Sequence, residues 1–380
     1  MATTHTTTHA HHPMNKPATE KEIWEQYCAS GIAIVRPLLT KHGVILDEAQ
    51  PHIAGERYLT RPLAGAKKLL LLGKRSSDKM RVVIKVASDT AGIAEIQHER
   101  TCREMLSSME FAHSILHSPD ELLFIHEQNR AILVSEFIEQ PCSFTERPIS
   151  EQFTLALSIL KAQEQAHATT HGHIKTVRKT FGEVHADDYL TKCQTYITEI
   201  NASAKNQTLE QTLGQSLQLF KESTKTIEQY TGFLTNWDLT PQNIRVTNER
   251  IYFLDHASFH FGNKHESWAR FINFMSLYEP QVAQALMEYV HSNRAHEEVA
   301  SLKLMRIYRL VELIRFYTEW LMRAEGNVRE LALARIDFWQ EVLKATISDT
   351  FISEETRKEY MKKRDSLRSD DEKKRQIGLH

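Results

Sequence analysis

Asp238, Asn243 and Asp255 bring two carboxylates and an amide into one short part of the chain, from Asn236-Trp237-Asp238-Leu239-Thr240-Pro241-Gln242-Asn243 through to Leu254-Asp255. Between them two apolar-rich runs, Ile244-Arg245-Val246 and Arg250 to Leu254, flank a polar Thr247-Asn248-Glu249 tip, which predicts a β-hairpin. Folded about that tip, Asn243 at the entry stands opposite Asp255 at the exit, and Asp238 sits on the loop feeding the same end. Oxygen ligands gathered on one rim suit a hard cation such as Mg²⁺, which takes carboxylate and carbonyl oxygens together with phosphates. The remaining carboxylate is free to orient an attacking hydroxyl.

A cation for the same phosphates stands upstream. Arg81-Val82-Val83-Ile84-Lys85-Val86 reads as a strand, and an ammonium on a rigid buried strand is costly unless it meets phosphate oxygens or a carboxylate. The next helical stretch, Thr90 to Met109, carries Ile93, Ile96, Cys102, Met105, Leu106 and Met109 as its apolar members. At 100° per residue both Glu99 and Glu95 fall on that apolar side, so either can meet Lys85.

Apolar spacing from Thr19 to His42 predicts two short helices interrupted at Gly31 and Pro37. Tyr58-Leu59-Thr60, Lys67 to Gly73 and Arg81 to Val86 read as three strands, and Glu121 to Phe137 as a second hairpin, making five in all. Pro141 to Pro148 is irregular and marks a boundary, beyond which the pattern is helical almost throughout, with a basic, loop-like connector from Thr169 to Glu183. The expected organisation is a disordered Thr/His-rich tail over 1–18, a first lobe over 19–138, a helical second lobe over 139–350 and a charged tail over 351–380, helical or disordered.

Taken together, Asp238 and Asn243 resemble the D-x-x-x-x-N catalytic loop of the kinase-like phosphotransferases, and Leu-Asp255-His-Ala stands where that superfamily places its D-F-G aspartate. Val-Val-Ile-Lys85 resembles the third-strand lysine motif, and the wording Asp-Leu-Thr-Pro-Gln-Asn is most similar to the small-molecule branch of aminoglycoside phosphotransferases and choline kinases. The resemblance implies an α+β, bilobal, protein-kinase-like fold: an N-terminal five-stranded antiparallel sheet plus helix, and a mostly helical C-terminal lobe with a catalytic hairpin. It implies ATP and Mg²⁺ as cofactors, Asp238 as catalytic base or orienter, and Asn243 and Asp255 as metal ligands. Lys85 is then the phosphate-gripping cation, with mid-helix Glu99 as the partner the family pattern favours and Glu95 as the alternative.

On the same reading Glu136, through its carbonyl, and Ile138, through its amide, hold the base edge at the hinge, and Gly65 belongs to the loop over the phosphates. That loop departs from the pattern, since Gly65 stands alone where protein kinases show G-x-G-x-x-G. Asn236 replaces the usual histidine before the catalytic aspartate, and an asparagine can donate and accept as that histidine does. No long activation segment follows Asp255, which points to a small-molecule hydroxyl acceptor (aminoglycoside-, choline- or sugar-like) rather than a protein. A catalytically weak pseudokinase or scaffold module is the alternative. Trp237, Trp268 and Arg270 either face the acceptor or pack.

Composition narrows the classes further. A formal charge of −2 and a pI near 6.9 point to neither nucleic acid nor an anionic membrane as partner. The four cysteines are far apart and form no C-x-x-C pair, which fits a reducing compartment, and no run is apolar enough to span a bilayer. A cytoplasmic location is the expectation.

Overall fold

The structure is a computed structural model that describes residues 18–60, 67–108, 116–127, 129–165, 174–204, 206–247 and 250–377. The Thr/His-rich start and Gly65 lie outside the described residues. In chain order the first part contains α1 (Glu20–Lys41), β1 (Val44–Leu46), α2 (Arg57–Thr60), β2 (Lys68–Arg75), β3 (Arg81–Ala87), α3 (Thr90–Ser108), β4 (Leu116–His117), β5 (Glu121–Glu127) and β6 (Arg130–Glu136). The second part contains α4 (Ile149–Gln165), α5 (Ile174–Phe181), α6 (Ala186–Ser203), α7 (Gln207–Glu222), α8 (Thr224–Gln229), β7 (Phe233–Asn236), β8 (Ile244–Val246), β9 (Ile251–Phe253) and β10 (Phe259–Gly262). It closes with α9 (Glu266–Tyr278), α10 (Pro280–Asn293), α11 (His296–Leu321), α12 (Gly326–Ile347), α13 (Glu354–Leu367) and α14 (Asp370–Ile377).

The N-terminal sheet has five antiparallel strands in the order β1-β2-β3-β6-β5. Period-two alternation divides its faces. Leu69, Leu71, Val82, Ile84 and Val86 turn into one core with α1, whose buried Trp24, Cys28, Val35 and Leu39 form a single helical stripe. The opposite face carries Lys68, Leu70, Val83 and Lys85 toward the interlobe cleft.

Two expectations for this lobe need correction. The Thr19–His42 stretch is one continuous helix, begun by a capping box in which Thr19 N donates to Glu22 (2.7 Å). Pro37 lies within it on the exposed side, where the carbonyl its ring leaves unbonded can be hydrated. Tyr58-Leu59-Thr60 is not a strand but the single turn α2; the first strand is Val44–Leu46, which pairs with β2. Leu59 is buried against Trp320, Ala324 and Ala332, and Arg323 donates to the carbonyls of Leu59 and Tyr58 (both 2.8 Å). Those partners, distant in sequence, hold the segment in its turn.

The C-terminal lobe is built on α11, which packs mainly on α12, α6 and α9. The expected basic loop holds the helix α5, whose Val177 and Phe181 are buried. The charged stretch after Ser353 is two ordered helices: α13 stacks Tyr360 on Phe338, with ring centroids 4.1 Å apart, and α14 returns to the first lobe. Among the described residues no helix is long and apolar enough to cross a membrane.

Candidate active site

The β8–β9 hairpin forms as expected, with its register shifted by one residue. Ile244 pairs with Phe253, Arg245 with Tyr252 and Val246 with Ile251, and Thr247 N bonds Arg250 O (2.9 Å) across the tip. Leu254 N donates to Asn243 O (3.0 Å), so Asn243 stands opposite Leu254 and Asp255 lies just beyond the ladder. A turn closed between Thr247 and Arg250, rather than a three-residue tip, produces the shift. The two side chains still line one cleft.

That cleft, of about 410 Å³, lies between the lobes and is lined by Lys85, Glu99, Glu136, Ile138, Asp238, Asn243 and Asp255. Every expected site residue within the described part of the chain is therefore on its wall.

Lys85 Nζ bonds both carboxylate oxygens of Glu99 (2.5 and 2.6 Å), and Glu99 is 2% exposed. Glu95 instead pairs with Lys68 on the neighbouring strand. The helical stripe carried both acids inward, and the strand register decided which lysine each one meets: Lys68 is opposite Ala87 and Lys85 opposite Leu70.

Asp255 is held by Ala257 N on Oδ1 (3.2 Å) and by Ser258 Oγ on Oδ2 (2.9 Å). Burial pushes its carboxyl up, but Lys85, Lys68 and the Ser258 hydroxyl outweigh burial and bring it below the usual range. An ionised carboxylate beside two ammonium groups results. The following residue, His256, is buried, with Nε2 2.9 Å from Ser118 Oγ. Burial, then Arg103 and Lys85, push its imidazole down to about 3, so at neutral pH it is uncharged packing for the segment.

Asn236 acts as the brace expected of it. Its Oδ1 accepts from Asp238 N (2.8 Å) and its Nδ2 lies 3.5 Å from Asp255 O, so one side chain ties together both acid-bearing segments. Ser267 on α9 holds the Asn236 backbone in turn (2.8 and 3.0 Å).

Asp238 has partners on both oxygens. Arg270 donates to Oδ1 from Nη2 and Nε (2.8 and 3.1 Å), and Asn243 Nδ2 donates to Oδ2 (2.9 Å). Ser267 and Arg270 lie on one side of α9 at helical spacing, so this helix braces both ends of the Asn236–Asp238 segment. Its start is anchored by buried Glu266, which accepts from Tyr189 OH (2.6 Å), His260 Nε2 (2.8 Å) and Arg309 (3.3 Å). Burial pushes Glu266 up, yet His260 and Arg309 hold it down at about 2. Of the two tryptophans, Trp268 packs, buried and stacked on Tyr289, whereas Trp237 is 47% exposed beside Asp238.

Among the described residues no group of three or more His, Cys, Asp or Glu side chains could hold a metal alone. The donor chemistry nevertheless fits Mg²⁺. Asn243 Nδ2 is committed to Asp238, which leaves its amide oxygen for a cation, and each Asp255 oxygen keeps a second lone pair. Two protein oxygens supplemented by phosphates and water are a usual Mg²⁺ set.

Sequence reasoning missed several groups on this wall: His52, Arg57, Lys68, Arg103, Arg245 and Arg375. Lys68 and Arg245 could have been found by alternation, the first as strand partner of the Lys85 segment and the second as the outward residue of Ile-Arg-Val. Arg375 carries no local signal.

No protein-family profile matches the chain, and no curated protein matches it either. Solved structures do. The aminoglycoside phosphotransferase APH(4)-Ia superimposes with a TM-score of 0.57 at 14% identity, covering 84% of this chain and 98% of that one. A macrolide 2'-phosphotransferase, MphH from Brachybacterium faecium, gives a TM-score of 0.53 at 14% identity over 80% and 98% of the two chains. A thermostable mutant of APH(4)-Ia in ternary complex with AMP-PNP and hygromycin B gives 0.53 at 13% identity over 76% and 92%. At such identities the likeness is one of fold: this chain has the kinase-like fold of the small-molecule phosphotransferases.

Proposed function

We propose that this protein is an ATP- and Mg²⁺-dependent phosphotransferase that moves the γ-phosphoryl group to a hydroxyl of a small molecule of aminoglycoside-, choline- or sugar-like type. One observation carries the reading. A Lys85–Glu99 pair from the sheet lobe, its carboxylate buried, and the Asp238, Asn243, Asp255 set from the helical lobe line the same cleft. Such transfer is mostly positioning and charge neutralisation, which these groups can provide.

The bound Mg·ATP would supply the transferable phosphoryl group and neutralise its charge. Lys85, oriented by Glu99, would grip phosphate oxygens, and Asn243 and Asp255 would hold the metal. Leu70, Leu72, Val83 and Leu254 offer apolar wall to the base. The carbonyl of Glu136 and the amide of Ile138 meet its polar edge. Asp238 orients the acceptor hydroxyl and takes its proton through a free lone pair. A cytoplasmic setting suits these substrates.

The scaffold reading draws on one specific feature: Arg270 and Asn243 already engage both oxygens of Asp238. A single experiment separates the readings. ATP consumption is measured with a panel of hydroxyl acceptors, for the wild type and for Asp255→Ala, alongside Mg²⁺-dependent nucleotide binding. Acceptor-dependent turnover that Asp255→Ala abolishes supports the enzyme. Mg²⁺-dependent binding without turnover on any acceptor supports the scaffold, and no nucleotide binding at all would refute both.

A further inference from the structure

Three guanidinium groups from distant parts of the chain meet on the cleft wall. Arg57 comes from α2 in the β1–β2 connection, Arg245 from β8 two residues beyond Asn243, and Arg375 from α14. His52, a residue of the turn Pro51–Ile53, lines the same cleft. Burial, with the fields of Arg375, Arg57 and Arg245, pushes this imidazole down to about 4, so at neutral pH it is uncharged and can present an N–H. His52 is 7% exposed, and its Nδ1 is buried with no hydrogen-bond partner among the described residues. Arg245 Nη1 also donates to the carbonyls of Gln242 and Ile244 (both 2.9 Å) and Arg375 is paired with Glu372, and three guanidinium groups beside a neutral imidazole on one cleft wall form a donor set suited to an oxyanion.

The placement of α14 is built in. Glu372, 1% exposed, accepts from Glu56 N (3.1 Å) and from Arg375 Nε and Nη2 (2.9 and 2.5 Å), while Ser369 Oγ donates to Glu56 (2.8 Å). Gly55, at φ +66°, lets the backbone pass so close that a Cβ there would lie 2.9 Å from Glu372 Cα. Through α13 the same segment is fastened to the C-terminal lobe, so α14 straps the two lobes at the rim of the cleft.

We propose that Arg57, Arg245 and Arg375, with His52, form an oxyanion-binding subsite of the cleft that takes a phosphate group, and that α14 is thereby part of the ligand site. This rests on the nucleotide reading above for its principal ligand, the nucleotide's own phosphates. A separate phosphate-type anion would use the same chemistry.

The test uses the full chain and calorimetric titration with adenosine, ADP and inorganic phosphate, each with Mg²⁺, for the wild type, Arg375→Gln and Arg245→Gln. Loss of one charge-assisted contact is expected to weaken ADP binding roughly tenfold or more in each variant, with adenosine affinity unchanged. Arg245→Gln lies outside α14, and because Arg245 also braces the carbonyls of Gln242 and Ile244 on either side of Asn243, the ADP titrations are repeated without Mg²⁺: a loss that persists there is a lost phosphate contact, and one that disappears reports a disturbed metal site and overturns the subsite. Phosphate binding that depends on both arginines, without nucleotide binding, supports the subsite and sinks the nucleotide reading. Equal ADP and phosphate affinities in all three proteins overturn the subsite and leave nucleotide binding standing. Parallel losses for ADP and adenosine also overturn it, because they report a general change in the cleft.

Discussion

Replacing Glu99 by Gln changes one atom and one charge, and the structure says how much that should matter. In the native site both carboxylate oxygens accept from Lys85 Nζ (2.5 and 2.6 Å), and the acid is 2% exposed. In Glu99→Gln the amide oxygen can keep one bond, but its NH₂ turns a donor toward an ammonium that has only donors. One charge-assisted bond is lost and the other becomes charge-to-dipole, at a cost of about 2 kcal/mol, toward the lower part of the range because Lys85 keeps water and Asp255 nearby. If Lys85 grips phosphate only when so oriented, that is roughly a 30-fold weaker Mg·ADP affinity. Glu95→Gln is the internal control. Its partner is Lys68, and its side chain is 33% exposed, so the change should stay within about 1 kcal/mol, or about fivefold. Calorimetric titration with Mg·ADP, paired with thermal melts to exclude unfolding, reads both. Equal affinities in the two variants would mean that the Lys85–Glu99 pair is architectural and that Lys85 does not orient phosphate.

Two further outcomes follow from the same geometry. Asp238→Asn should lower turnover roughly 100- to 10,000-fold while affinity for ADP without Mg²⁺ stays within a few-fold, because the residue touches Arg270 and the metal-side Asn243 rather than the Lys85 side of the cleft; a variant with near-normal turnover would show that Asp238 is not the base. Docking of α14 should weaken as pH rises. Burial and the neighbouring Glu372 raise Glu56 from its ordinary 4.5 to about 7, while Arg375 prevails over burial to hold Glu372 down at about 2. The proton that Glu56 retains when α14 is docked stabilises that state fully below about pH 4.5, and the contribution is lost as pH climbs through about 7. Hydrogen exchange over residues 370–377, corrected for intrinsic rates, should therefore speed up between pH 6 and 8.5, and unchanged protection would contradict a Glu56 that keeps its proton while α14 is docked.

What the sequence determined by itself is local. Alternation in Val82 to Val86 puts Lys85 on the face opposite the α1 core, and helical spacing puts Glu95 and Glu99 on the inward side of α3. The polar tip after Val246 closes a hairpin between Asn243 and Asp255. Each follows from a period of two or 3.6 residues and from turn chemistry, which a few neighbours decide. The rest was settled by contacts between distant residues. Tyr58-Leu59-Thr60 has strand-like composition but is held as a turn by Arg323, and a one-residue difference in turn closure moved Asn243 opposite Leu254. Arg270 reaches Asp238 from a helix formed 32 residues later. The clearest case is the C-terminal stretch, whose charged composition reads as solvated. Its Glu372 is buried because Glu56, 316 residues earlier, offers a backbone N–H and Gly55 leaves it room. No window of sequence contains both partners, so only the folded chain could show that α14 belongs to the cleft.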